Sequence, residues 1–117
     1  MMNCLIIENS TKVIEKIKSF KDEFTDMCFT YVSENHKIAL NLILKSNFDL
    51  IFYNIDSTEI KISDFLFEIQ ASYASKLKFI ALSSSKENAY EAYTYNFCDF
   101  LLKPLSELSI RKSLLKF

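Results

Sequence analysis

The sequence contains no glycine and no tryptophan, and it has a single proline, Pro104, and a single histidine, His36. Without glycine, neither the G-x-G-x-x-G loop nor a Walker loop can be assembled, which excludes the usual phosphate cradles for dinucleotides and nucleoside triphosphates. Turns must then rest on Asn, Asp and Ser, with Asn the next-best residue for a left-handed backbone. The lone His36 stands at an expected helix start and reads as a solvent-facing side chain. No Ser-His-acid or Cys-His set can be built around it. No apolar run approaches the ~18 residues of a membrane span, and Met2-Asn3-Cys4-Leu5-Ile6-Ile7 is too short, and lacks the basic start, for a signal peptide. With a formal net charge of −1, nothing global draws the chain toward nucleic acid or an anionic membrane. Cys4, Cys28 and Cys98 form an odd set without metal spacing. Each lies in an apolar run, so they read as buried free thiols in a reducing, cytoplasmic setting.

What is present is a chain of 117 residues, half of them hydrophobic and 25% charged. That suits one domain over residues 1–117 with one core. Five short apolar runs read as buried strands: Cys4 to Ile7, Met27 to Val32, Leu50 to Tyr53 running on to Asn54 and Ile55, Phe79 to Leu82, and Phe100 to Leu102. The segments between them have helical periodicity. Val13, Ile14, Ile17 and Phe20 share a face behind a Ser10 or Thr11 cap. Ser33 is the expected cap of the second helix, with Ile38, Leu42 and Ile43 turned inward and a left-handed Asn47 at its end. Phe65, Leu66, Ile69 and Tyr73 follow Ser63-Asp64 in the third, and Ala89, Ala92, Tyr93 and Asn96 share a face in the fourth. The fifth, after Ser106, is expected to bury Leu108, Leu114 and Leu115.

Five alternations of strand and helix predict an α/β, flavodoxin-like (βα)5 three-layer sandwich around a parallel sheet ordered 2-1-3-4-5. In such sheets ligands sit at the carboxyl ends of the strands, near the switch point between strands 1 and 3. The strand ends to inspect are therefore Glu8 and Asn9, Asn54 to Asp56, Ser83, and Lys103.

Those four positions carry an acid, a polar residue, a hydroxyl and a Lys-Pro pair, and together they resemble the response-regulator receiver (CheY-like) family. Asn3-Cys4-Leu5-Ile6-Ile7-Glu8-Asn9 resembles the opening strand that ends in two acids. Asp49-Leu50-Ile51-Phe52-Tyr53-Asn54-Ile55 is similar to the third strand, which ends in the phosphorylated Asp. Ile80-Ala81-Leu82-Ser83 resembles the strand ending in a hydroxyl, and Asp99-Phe100-Leu101-Leu102-Lys103-Pro104 the closing strand with its Lys-Pro. Ala89-Tyr90-Glu91-Ala92-Tyr93 looks like receivers attached to LytTR-type DNA-binding domains. The resemblance implies that Glu8 and Asn9 replace the acid pair, Asn54 the phosphoacceptor, Ser83 the hydroxyl, Lys103 the lysine and Phe100 the switch aromatic. It also implies a cis Lys103-Pro104 bond, and that Asp56 stands where a backbone carbonyl would bind the metal.

Three departures bear on function. Asn54 has no carboxylate to form an acyl phosphate, Asn9 removes another charge, and Ser57-Thr58 replace the usual Met-Pro turn. Phe100 also lacks the hydroxyl of the commoner Tyr. Hard divalent cations need anionic oxygens, and two unit charges about 4 Å apart interact by roughly 4 kcal/mol at an effective dielectric of 20. Magnesium is therefore expected to bind weakly if at all, through Glu8 and Asp56, and no other cofactor is expected. A Glu8–Lys103 attraction should dominate the hollow, with Asn54 hydrogen-bonded to one of them. The favoured reading is a non-enzymatic, phosphorylation-independent receiver in a two-component system. It would bind protein partners through helix 4, strand 5 and helix 5, as a homodimer or with a sensor kinase, with Tyr90, Tyr95, Asp99 and Arg111 as candidate contacts. The alternatives are a receiver phosphorylated on Asp56 and a small flavodoxin-like ligand-binding protein.

Overall fold

The computed structural model describes residues 1–32, 35–57, 59–72 and 77–117. In chain order its elements are β1 (Met2–Ile7), α1 (Thr11–Lys18), β2 (Met27–Val32), α2 (His36–Lys45), β3 (Leu50–Asn54), α3 (Ile62–Ser72), β4 (Lys78–Ser83), α4 (Ala89–Thr94), β5 (Asp99–Leu102) and α5 (Glu107–Leu114). The strands form one sheet in the order β2-β1-β3-β4-β5, every neighbouring pair parallel. The architecture is the expected flavodoxin-like α/β sandwich. Among the described residues no helix is long and apolar enough to cross a membrane.

The central strands are apolar over residues 4–7, 50–53 and 79–82 because both of their faces are covered there, as parallel sheets require. Side chains alternate between two cores. Cys4, Ile6, Leu50, Phe52, Ile80 and Leu82 pack with Val13, Ile14 and Ile17 of α1 and Ile110 and Leu114 of α5. On the other face, Leu5, Ile7, Ile51, Tyr53 and Ala81 pack with Ala39 and Ile43 of α2, Phe65 and Ile69 of α3, and Ala92 of α4.

Local signals set the helix ends. Ser10 caps α1, its side chain accepting from the Val13 N–H, and Ser106 caps α5 by accepting from the Ser109 N–H; such caps contribute about 1 kcal/mol each. Asn35 caps α2 through the Ile38 N–H at 3.1 Å. The expected cap Ser33, the inward Tyr73 and the turn residue Thr58 lie outside the described residues.

Several expected faces differ. In α2 the buried residues are His36, Ala39 and Ile43, while Ile38 is 48% exposed. In α5, Ile110 and Leu114 are buried and Leu108 and Leu115 are exposed. Tyr93 is exposed as well. In each case the amphipathic stripe is wide enough to allow two orientations, and the sheet chooses between them. Among the described residues the left-handed one is Asn96 (φ 62°), not Asn47. Asn96 donates to the Tyr93 carbonyl and Phe97 to the Ala92 carbonyl, a Schellman closure of α4 that a glycine would ordinarily make. Of the thiols only Cys4 is buried; Cys28 is exposed on the edge strand β2 and Cys98 is half-buried.

Candidate functional site

The strand register determines which residues meet. Ile7 is level with Tyr53, Asn54 with Leu82, and Ser83 with Leu102. The next residues along, Glu8, Asn54, Ser83 and Lys103, therefore emerge at the carboxyl edge of the sheet around the β1–β3 switch point. The Lys103–Pro104 bond after β5 is cis.

Glu8 is 2% exposed and its charge is fully engaged. Lys103 Nζ lies 2.7 Å from Glu8 Oε1. Oε2 accepts from the backbone N–H groups of Asn9 at 2.9 Å and Ser10 at 3.0 Å. Oε1 receives no directed hydrogen bond among the described residues, so the ammonium contact alone offsets its burial. Lys103 Nζ also donates to Asn54 Oδ1 at 3.4 Å, a long bond beside the short ion pair. Asn54 is itself buried, and its Oδ1 accepts from the Asp56 N–H at 3.2 Å. Asn9, by contrast, is exposed, and its backbone N–H donates to Glu8.

Asp56 completes the hollow from the side opposite Glu8. A tight turn after β3, closed by the Ser57 N–H on the Asn54 carbonyl, carries its side chain toward β4. Asp56 Oδ1 accepts from Ser83 Oγ at 2.5 Å and from Asn88 Nδ2 at 2.9 Å, and Oδ2 accepts from the Ser84 N–H at 2.8 Å. Burial pushes the Asp56 carboxyl up. The bonds from Ser83, Ser84 and Asn88, with the charge of Lys103, outweigh that and hold it below its ordinary value. Neither Asn88 nor the Ser84 N–H was expected from the sequence; both depend on the path of the loop after β4, which no periodicity describes.

Magnesium does not fit these residues. A hard cation needs several free anionic oxygens. Here one carboxylate is tied to an ammonium and two amides, the other to a hydroxyl, an amide N–H and an Asn side chain. Among the described residues no three His, Cys, Asp or Glu side chains gather where they could hold a metal ion.

The remaining sequence candidates lie away from the hollow. Phe100 is half-buried against the core on the α2–α3–α4 face. Tyr90 and Tyr95 are 82% and 37% exposed. Asp99 is paired with Lys116 at 3.0 Å, and Arg111 makes a two-point bond to Glu23 at 2.6 and 2.9 Å while lying over the Phe20 ring. These two charges are thus already committed within the chain.

His36, expected at the surface, is instead buried. Its Nε2 meets the Tyr53 hydroxyl at 2.7 Å and its Nδ1 meets Glu59 Oε1 at 3.0 Å; the same oxygen accepts from the His36 N–H at 2.6 Å. Phe65 stacks on Tyr53 at 5.3 Å and receives the edge of His36 at 5.0 Å. A fully buried Tyr must place its hydroxyl somewhere, and this imidazole is where it goes. The signal was a Tyr in β3 whose other residues, Asn54 at its tip apart, are apolar.

No family model and no curated protein matches the chain by sequence. Solved structures do match it by shape. The response regulatory domain of protein mrkE from Klebsiella pneumoniae superposes with a TM-score of 0.83 at 22% identity, covering 98% of this chain and 93% of that one. The REC domain of AraT, a response regulator from Geobacillus stearothermophilus, gives 0.81 at 22% identity over 98% and 91%. The chemotaxis protein CheY4 of Vibrio cholerae gives 0.77 at 18% identity over 99% and 98%. At these identities it is the fold that is shared, end to end. The strand order, the hollow at the switch point and this full-length overlap agree, and the chain has the fold of a CheY-like receiver domain of response regulators.

Proposed function

We propose that the chain is an atypical receiver that signals through protein–protein contacts without taking up phosphate. The observation that carries this reading is Asn54. It stands at the tip of the central strand within reach of Lys103, and its amide has no anionic oxygen with which to attack a phosphoryl group. A receiver's lysine would ordinarily serve the phosphorylated acid; here its ammonium pairs with Glu8 at 2.7 Å.

On this reading the protein is not an enzyme and works in the cytoplasm as part of a two-component system. Its partners, a second copy of itself or a sensor kinase, dock on α4, β5 and α5. The exposed Tyr90, Tyr93, Leu102 and Leu108 on those elements support the choice of face, since aromatic residues are enriched at interfaces. The LytTR-like segment from Ala89 to Tyr93 favours a role in transcription regulation.

Incubation with acetyl phosphate followed by intact-mass measurement tests the reading. The expected result is no phosphoryl adduct on the native chain. A labile adduct mapped to Asp56 would overturn it in favour of a phosphorylatable receiver. Against that second reading, both oxygens of Asp56 already accept hydrogen bonds, which lowers their nucleophilicity.

A further inference from the structure

β2 and β5 are the two edges of the sheet. Natural edge strands usually carry a lysine, a proline or a bulge that discourages pairing with another chain. β2 has none of these. It reads Met-Cys-Phe-Thr-Tyr-Val, six uncharged residues of mostly high β propensity, in unbroken register with β1. The parity of its hydrogen bonds is set at both ends, where the Met2 N–H meets the Asp26 carbonyl and the Glu8 N–H meets the Val32 carbonyl. In a parallel ladder alternate residues bond to the same neighbour. Cys28, Thr30 and Val32 therefore turn their backbone to β1, and Met27, Phe29 and Tyr31 turn theirs outward. The Met27 N–H is taken by the Phe24 carbonyl at 3.0 Å, but among the described residues nothing pairs with the N–H and C=O of Phe29 or Tyr31. The side chains of Cys28, Thr30 and Tyr31 are exposed beside them.

We propose that this edge pairs with the β2 edge of a second copy of the chain, antiparallel about a twofold axis at Phe29, so that two five-stranded sheets run into one. A strand edge is matched by another strand edge, and antiparallel pairing closes as a twofold dimer. The three outward residues fix the register: the two Phe29 residues exchange N–H and C=O, and each Tyr31 N–H reaches the Met27 carbonyl of the other copy. Charge favours the same arrangement. Lys18 Nζ lies 5.5 Å over the Tyr31 ring, and Lys18, Lys21 and Tyr31 line one groove beside that end of β2. Asp26 stands exposed at the other end. Antiparallel pairing brings the lysine end of each copy to the Asp26 end of the other, whereas parallel pairing sets like charges together. A lone strand pair is smaller than the ~1,600 Å² of a standard stable interface, so the complex is short-lived and has to be trapped. β2 lies across the sheet from β5, so this contact is separate from the α4, β5 and α5 face.

In this register Cys28 of one copy faces Thr30 of the other as a non-hydrogen-bonded pair, with Cα atoms about 4.5 Å apart, inside the ~4.4–6.8 Å that a disulfide spans. Oxidation with copper–phenanthroline, read on non-reducing gels and by mass mapping of the linked peptides, tests it. The background is Cys98→Ser, in which Cys28 is the exposed native thiol and Cys4 is buried. Thr30→Cys should form a covalent dimer at least about tenfold faster than Tyr31→Cys, whose thiol is also exposed but points to the other side of the sheet. The link should join Cys28 to the introduced thiol. Adding Tyr31→Pro to Thr30→Cys removes an outward N–H that β1 does not use, a change an edge strand tolerates, and should bring the rate down to that of Tyr31→Cys. Equal rates for the two single-cysteine substitutions would mean random collision and would overturn the proposal. So would the absence of a dimer from folded Thr30→Cys, or a link that Tyr31→Pro leaves untouched. None of these outcomes bears on phosphate uptake or on the α4, β5 and α5 face, so failure here is distinct from failure of the function proposed above.

Discussion

Glu8 and Lys103 show what a single side chain can do at a strand end. Glu8 is almost wholly buried, and apart from two backbone amides its charge is answered only by an ammonium that is itself 16% exposed. Removing one member strands the other in a poorly hydrated site, which typically costs 3–5 kcal/mol; replacing both with neutral groups of similar size is often close to neutral. Lys103→Met alone should therefore lower stability by about 3 kcal/mol, and Glu8→Gln added to it should restore most of the loss, read from urea unfolding midpoints. Equal destabilisation by the single and double variants would show that the pair is not coupled. At this scale the sequence was partly legible. Glu8, Asn54, Ser83 and Lys103 could be named because strand ends in a parallel sheet face one hollow. The partners of Asp56 and the burial of His36 could not, because a buried polar group is tolerated only beside a partner that the fold supplies. Tyr53 and Glu59 are distant from His36 in sequence.

At the scale of elements, the missing glycine has a local cost. The Schellman closure of α4 needs a left-handed residue, and Asn96 supplies it at φ 62°. That conformation costs an ordinary L-residue roughly 1–2 kcal/mol, and glycine nothing of the kind. Asn96→Ala should thus lower stability by about 1 kcal/mol, whereas Asn96→Gly should leave it unchanged or slightly higher. Thermal unfolding of both variants checks this; equal losses would mean that the side chain, not the backbone angle, matters at position 96. Strand positions were readable to within a residue or two because both faces of each central strand are apolar. Helix orientation was less so. Of the stripe expected on α2, Ile43 is buried and Leu42 packs partly buried against the core, but Ile38 is 48% exposed and Ala39 takes the inward place.

For the whole molecule, the proposed interface is a matter of exposed apolar area on adjoining elements. Tyr90 on α4, Leu102 on β5 and Leu108 on α5 are 82%, 46% and 59% exposed, while Asp99 and Arg111 are held by Lys116 and Glu23. Self-association through this face should make the average mass in sedimentation equilibrium rise with protein concentration, and Tyr90→Glu should suppress that rise by placing a charge in the contact. A monomer at every concentration would remove homodimerisation from the reading and leave a different protein as the partner.

The order of the elements, the parallel sheet and the identity of the residues at the strand ends followed from sequence alone, because apolar runs alternating with helices can be covered on both faces in only a few topologies. Tertiary structure alone decided that Asp56 turns to Ser83, Ser84 and Asn88, and that His36 goes inside. Those contacts join segments distant along the chain at hydrogen-bond range, a distance that depends on register and loop path rather than on any local pattern of residues.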